Sequence, residues 1–393
     1  MGVYSEYLDN LHDIESVTRE RKKQLGRIAS IRGRSVLAMA SDIAKAGAPT
    51  GIDSTDLLHV ADQLDTLSGT ALDVVIETPG GYAERAEDIV LTIRDRFETV
   101  GFIVPGVAMS AGTIMVMSGD EILLEPRSSL GPIDAQVMLT AGRRFSAHAF
   151  LEGLEKIKGE VENAGNLNRA YVPILQGINV ADIQACENAQ DFSRKLVSNW
   201  LATWKFRSWE THSSTGEPVT QDEKLARAEE IATHLCNHSQ WLTHSKSIRL
   251  TDLVAMGLRT TDYSKIPELY DAIRRYHILL RMTFDGTSIY KLYETPDTQI
   301  YRHGVPVGPI PPPAPAPPGR PVGADVAHVE LNCPRCGNSA HIQANLGKPQ
   351  PLQQGSIPFP RDNELKCPNC ALELNLVNLR KRLEAQNKKP IVT

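Results

Sequence analysis

A serine among small residues, a pair of adjacent glycines and two pairs of cysteines are the residues of this sequence whose types and spacing can do chemistry. Ser110 stands in the run Val107-Ala108-Met109-Ser110-Ala111-Gly112-Thr113. Before it, Val100 to Pro105 reads as a short buried strand, and after it Thr113 to Ser118 reads as an apolar helix. The spacing predicts a strand-to-helix elbow that turns the hydroxyl outward. The first N–H groups of the helix, Ala111 among them, lie beside it without intrahelical partners. Ala108, Ala111 and Gly112 are small enough to let a substrate backbone approach. The chemistry this points to is nucleophilic attack on a carbonyl. The plainer alternative is a serine that merely caps a buried helix.

Upstream, Leu72 to Thr78 reads as a strand that ends in Pro79-Gly80-Gly81 and is followed by an amphipathic helix from about Ala83 to Arg96. Two glycines at that point permit positive φ and leave backbone N–H groups free to face a ligand, as an oxyanion hole requires. An ordinary strand-to-helix turn also favours glycine. Near the other end, Cys333-Pro334-Arg335-Cys336 and Cys367-Pro368-Asn369-Cys370 form two CxxC knuckles. Each knuckle sets two thiolates on one side of a tight turn, and together they supply a complete tetrahedral set for structural zinc. Four cysteines leave no open coordination position, so a catalytic role for the metal is not expected. A redox dithiol would sit in a strand-helix context that is missing here. His341, close to the first knuckle, reads as a surface residue rather than a ligand.

Thr78-Pro79-Gly80-Gly81, Ala108-Met109-Ser110-Ala111-Gly112-Thr113 and Leu130-Gly131-Pro132-Ile133-Asp134 follow one another in an order that resembles the serine dehydrogenase proteinase family. This is a branch of the Clp-type and signal-peptide-peptidase-type serine proteases. The resemblance extends from the N-terminal helix to about Gly304 and takes in Cys186-Glu187-Asn188-Ala189 and Thr243-His244-Ser245-Lys246-Ser247-Ile248, which leads to Met256-Gly257-Leu258. It implies an α/β fold of the ClpP/crotonase type, a βαβ spiral, here followed by a small zinc-ribbon domain. It also implies a homo-oligomer with inward-facing sites that cut unfolded or threaded polypeptides.

A serine needs a base. In the Clp peptidases that base is a histidine on the strand after the serine helix, and here Ile133-Asp134 occupies the corresponding place. Signal-peptide-peptidase relatives instead use a lysine some tens of residues further on, whose amine serves as base when desolvation lowers its pKa. Lys156 and Lys158 lie in that region, and Lys156 is the first choice. The opposing reading is an exposed helix, with Glu152, Glu155 and Glu160 close by in sequence. His244 and His148 are the histidine candidates, and Asp134 is placed to orient a base or cap a turn. The expected reaction is acyl transfer through Ser110, with the N–H groups of Gly81 and Ala111, beside Gly80, stabilising the oxyanion.

The elements that must position these groups can be read in order. A charged helix runs through about Arg27, Arg34 to Ala40 is a first strand, Asp53 to Leu67 a helix, and Glu121 to Leu124 a later strand. Strand alternating with helix implies parallel βαβ units. Ala147 to Trp204 reads as mainly helical with a loop at Gly165-Asn166, Tyr263 to Met282 as a helix, and Ser288 to Arg302 as a hairpin turned at Pro296-Asp297. The division is a protease domain over 1–304, a proline-rich spacer over 305–324 and a four-cysteine ribbon with a basic C-terminal helix over 325–393. Pro309, Pro311, Pro312, Pro313 and their neighbours make the spacer extended and semi-rigid. The interval between the knuckles, with Pro349, Pro351, Pro358 and Pro360, reads as a loop.

With 393 residues and a net charge of −5, the chain has no general attraction to nucleic acid. No stretch reaches the roughly 18 apolar residues of a membrane span, and residues 1–25 do not resemble a signal peptide. Cysteine usage suits a reducing compartment, and the expected location is the cytoplasm. No organic cofactor is expected, because no glycine-rich dinucleotide fingerprint opens a helix after a strand. The ribbon, with Arg380, Lys381 and Arg382 in its tail, offers a contact for a protein or nucleic-acid partner, the plainer alternative being a solvated charged face. Two rival functions share the fold: an inactive oligomeric scaffold, and a crotonase-type acyl-CoA enzyme that holds an enolate with the same two N–H groups.

Overall fold

The computed structural model describes residues 2–11, 13–138, 144–212, 214–304 and 325–392. It divides into two compact units, residues 1–306 and 307–393. The proline-rich spacer over 305–324 lies outside the described residues.

The first unit opens with α1 (Val3–Asn10) and α2 (Ile14–Arg32), the latter capped by the Asp13 carboxylate and closed by Gly33 in the left-handed region. Then follow β1 (Ser35–Ser41), α3 (Asp56–Asp65), β2 (Ala71–Glu77), α4 (Ala83–Arg96), β3 (Thr99–Val104), β4 (Val107–Ala108), α5 (Ala111–Met117), β5 (Glu121–Leu124) and β6 (Ser129–Leu130). A short pair, β7 (Gln136–Met138) and β8 (Arg144–Ser146), leads into α6 (Ala147–Ala164), α7 (Val172–Leu175) and α8 (Val180–Trp200). After α9 (Gln221–Cys236), α10 (His238–Trp241) and α11 (Leu250–Ala255) come β9 (Thr261–Asp262), α12 (Pro267–Gly286) and the hairpin β10 (Ile289–Glu294) and β11 (Gln299–His303).

Seven strands form one sheet in the order β11-β10-β1-β2-β3-β5-β9. The five from β1 to β9 run parallel, each crossing over through helices, and the hairpin adds two antiparallel strands at the β1 edge. The expected hairpin is present. Its pairing with the first strand, rather than with a sequence neighbour, was not legible because the partners lie some 250 residues apart.

Side-chain alternation divides the apolar residues between two cores. Leu37 and Met39 of β1, Leu72, Val74 and Ile76 of β2, and Val100, Phe102 and Val104 of β3 meet α3, α4, α5, α8 and α9 on one face. Val36, Ala38, Ala40, Val75, Ile103 and Leu123 meet α2 and α12 on the other. A sheet covered on both faces explains why the strands read as continuous apolar runs rather than alternating ones. The helix expected over Tyr263 to Met282 begins at Pro267 after one turn of 3₁₀ helix.

The second unit contains β12 (Val326–Asn332), β13 (Ser339–Leu346), β14 (Ile357–Pro358), β15 (Glu364–Lys366), β16 (Glu373–Asn375), α13 (Val377–Asn387) and β17 (Ile391–Val392). The interval between the knuckles, expected as a loop, contributes the whole of β13 and the buried Phe359 to a small core with Ile342, Leu346 and Leu383. Arg380 of the basic helix stacks on Phe359, 5.1 Å from the ring centroid, so this part of the charge run packs on the unit's own core.

Candidate active site and four-cysteine cluster

Ser110 adopts φ 50° and ψ −115°, a backbone that few L-residues accept, and its side chain makes no capping hydrogen bond to the helix it precedes. The capping alternative therefore fails, and the strained turn presents the hydroxyl instead. The elbow is held from behind. Thr113 donates its hydroxyl toward the carbonyls of Ala108 and Gly131 (2.7 and 3.0 Å) and accepts from Gly131 N (2.9 Å). Helix α5 is buried along its whole length, which fixes the axis from which the turn departs.

The end of β2 is joined to the elbow by backbone pairing: Thr78 N donates to Val107 O and Met109 N to Thr78 O, both at 3.0 Å. This sets Gly80 and Gly81, at φ 98° and 155°, directly against the serine. A Cβ at Gly80 would lie 2.7 Å from Met109 O and 2.8 Å from Ser110 Cβ, and one at Gly112 would lie 2.4 Å from Thr78 Cγ2. Here glycine is a steric requirement. The N–H of Gly80 is engaged by Thr78 Oγ1 at 3.2 Å, so Gly80 contributes its missing side chain rather than a donor.

The segment after β6 brings Asp134 in, and it is braced by the segment that carries His244. Leu130 and Ile248 exchange both backbone hydrogen bonds at 2.8 Å, and Ile133 N reaches Leu235 O at 2.9 Å. As a result His244 Nδ1 meets Asp134 Oδ1 in a short hydrogen bond. The carboxylate is wholly buried, whereas the imidazole is 33% exposed. With Nδ1 turned to the carboxylate, Nε2 is the ring nitrogen not engaged by Asp134.

Gly80, Gly81, Ser110, Ala111, Asp134 and His244 all line one cleft of about 610 Å³. Ile114, Ile133 and Phe192 supply apolar lining, and the charged residues on its wall are Asp53, Glu84 and Asp134, with no lysine or arginine among the described lining residues. The two lysines expected as candidate bases are elsewhere. Lys156 and Lys158 stand on the solvent face of α6, 72% and 62% exposed, held by Glu152 at 3.4 Å and Glu155 at 3.3 Å. The structure does not place them among the residues that line the Ser110 cleft. His148 is also outside the cleft, with Nε2 3.4 Å from Asn237 Oδ1.

His244 and Asp134 were both legible as candidates, but their pairing was not. The signal that would have joined them is the Leu130–Ile248 bridge, which no local pattern encodes.

In the second unit, the Sγ atoms of Cys333, Cys336, Cys367 and Cys370 all lie within 4.8 Å of one another. The pairs Cys333–Cys370 and Cys336–Cys367 are separated by 3.5 and 3.6 Å. Tetrahedral zinc with Zn–S bonds of about 2.3 Å holds its sulfurs roughly 3.8 Å apart, so the set fits that ion. The two knuckles are built alike: Gly337 N bonds Cys333 O at 2.8 Å and Ala371 N bonds Cys367 O at 2.9 Å, both donors at positive φ.

The fold and the site together define a class. Residues 12–166 match the family model of the ClpP-like SDH-type serine proteinase, a stretch that contains the glycine pair, the serine elbow and Asp134. This segment is thus similar to a ClpP-like serine proteinase, in line with the resemblance carried by the motifs; His244 lies beyond the matched residues. Two uncharacterized proteins of Methanocaldococcus jannaschii are similar to the chain. One is 26% identical over 140 residues, covering 34% of this chain and 45% of its own, and the other 35% identical over 66 residues, covering 17% and 23%. The chain spans less than half the length of these curated relatives. Among solved structures, a mutant of the 1510-N membrane-bound stomatin-specific protease overlaps with a TM-score of 0.33 at 15% identity, covering 61% of this chain and 84% of that one. ClpP1 from Listeria monocytogenes overlaps with a TM-score of 0.30 at 11% identity, covering 60% and 91%.

Proposed function

We propose that the chain is a serine peptidase in which Ser110, His244 and Asp134 act as a triad. The observation that carries this reading is the short Asp134–His244 contact on the wall of the same cleft as a strained, uncapped serine. In the mechanism, His244 Nε2 takes the Ser110 proton as Oγ attacks a peptide carbonyl. Buried Asp134 holds the ring in the tautomer that makes this possible and stabilises its positive charge. The N–H groups of Gly81 and Ala111 stabilise the oxyanion. Protonated His244 then passes its proton to the leaving amine, and water releases the acyl group by the same steps in reverse.

The apolar lining at Ile114, Ile133 and Phe192 favours an apolar substrate side chain, and the acidic wall disfavours acidic ones. The resemblance to the Clp-type proteases implies an assembly that admits only unfolded polypeptides, and a homo-oligomer is the arrangement we propose here. We also assign zinc to the four cysteines, as a structural ion that ties the two knuckles, with the second unit serving to recruit a partner. No helix among the described residues is long and apolar enough to cross a membrane. The reading is tested by incubating the full chain with an unfolded protein substrate. Ser110→Ala should abolish cleavage, and cleavage that survives in this variant would overturn it.

A further inference from the structure

Lys291 on β10 is 2% exposed, and the mechanism above makes no use of it. A buried ammonium costs several kcal/mol unless its donors are matched, and here they are. Nζ donates to Asp56 Oδ1 at 2.7 Å, Asp53 Oδ2 at 3.3 Å and the backbone carbonyl of Gly51 at 2.6 Å. Asp56 is fixed in turn by the Tyr293 hydroxyl and by Asp53 N at 2.7 Å.

Gly51 belongs to an irregular strap, residues 48–53, that forms one wall of the cleft. The next residue, Ile52, is bridged in parallel to Gly81: Ile52 N donates to Gly80 O at 2.7 Å and Ile52 O accepts from Tyr82 N at 3.0 Å. In such a ladder the bridged residue turns its own N–H and C=O to the opposite side. Ile52 therefore determines which way the Gly81 N–H points, and it points away from the strap. The strap lies so close that a Cβ on Gly81 would fall 2.3 Å from Ile52 N.

From this chain of contacts we infer that Lys291 is a positioning residue for the oxyanion hole: through the Gly51 carbonyl it anchors the strap that aims the Gly81 N–H into the cleft. The inference rests on the peptidase reading and on Gly81 as a donor.

The test compares the wild-type full chain with Lys291→Met/Asp56→Asn, which removes both buried charges together, and with Lys291→Arg, which keeps the charge but displaces the contact to Gly51. The readouts are kcat and KM on a peptide amide, inhibition by a peptide aldehyde whose hemiacetal occupies the oxyanion hole, and thermal melting. Loss of one oxyanion donor costs about 10²–10³-fold in kcat. A fall of this order is expected in the double variant, with KM nearly unchanged and aldehyde affinity lost in parallel. Lys291→Arg should lose at least about tenfold in kcat and aldehyde affinity at unchanged KM, and it decides the question if the double variant does not fold. Unchanged kcat and aldehyde affinity in a folded variant, or activity lost only in proportion to the unfolded fraction, would overturn the inference. A wild type that neither cleaves the peptide nor takes up a fluorophosphonate would overturn the peptidase reading and this inference with it. An active wild type with indifferent variants overturns the strap alone.

Discussion

Ser110 holds a left-handed backbone that costs of order 1–3 kcal/mol in an L-residue, and the surrounding contacts maintain it: Thr113 behind, Thr78 beside and the fully buried α5 ahead. Such strain is retained where it aims a group. The same logic groups His244 with Asp134, whose buried carboxylate meets the imidazole in a short hydrogen bond. We expect His244→Ala and Asp134→Asn each to lower kcat by roughly 10⁴-fold, the scale seen when a triad loses its base or the correct tautomer. Steady-state rates on a peptide amide check this. Lys156→Ala should leave the rate within about twofold. At the same scale, burial raises the Cys186 thiol above its ordinary pKa and pushes the Cys236 thiol up to about 12. Both should resist a thiol reagent at pH 8 in the folded protein and react once it is unfolded. For Cys236 the sign follows directly: the unfolded thiol ionises first, so its contribution to stability is complete below about pH 9 and is lost as pH rises toward 12.

Elements carried the sequence signal unevenly. Helix α4 and strand β5 begin and end where their apolar spacing predicts, and the Ser110 elbow was readable because strand, small residues and apolar helix are adjacent in the chain. The hidden features are contacts between distant segments. The Leu130–Ile248 bridge that unites Asp134 with His244 and the β1–β10 pairing that brings Lys291 to Asp56 have no local trace. Lys156 was suggested by its distance from the serine along the chain, but the helical phase of α6 places it on the solvent side. The Gly81 turn offers a direct test at this scale. Gly81→Ala drives a methyl against the Ile52 backbone, and tilting the N–H should lower kcat by about 10²–10³-fold with little change in KM.

Across the whole molecule, two units of different construction are joined in one chain. The first is stabilised by two apolar cores on a covered sheet, whereas the second has a small core and a cluster of four cysteines, to which we assign a structural zinc. We predict one zinc per chain by metal analysis. Chelation should unfold residues 325–392, leaving the far-ultraviolet circular dichroism and melting of the first unit intact. Retention of the second unit's structure without metal would remove zinc from the account. The motifs made the clustering of the four cysteines legible, because CxxC spacing is a local pattern. The strand β13 between the knuckles was not, since prolines flank it on the side toward the second knuckle.

The most direct test of the central claim is labelling of the intact chain with a fluorophosphonate probe, followed by mass spectrometry of the modified peptide. The account predicts a single adduct on Ser110, absent in Ser110→Ala, strongly slowed in His244→Ala and Asp134→Asn, and formed at the wild-type rate in Lys156→Ala. Labelling that persists in His244→Ala and disappears in Lys156→Ala would contradict the triad and return the base to the lysine.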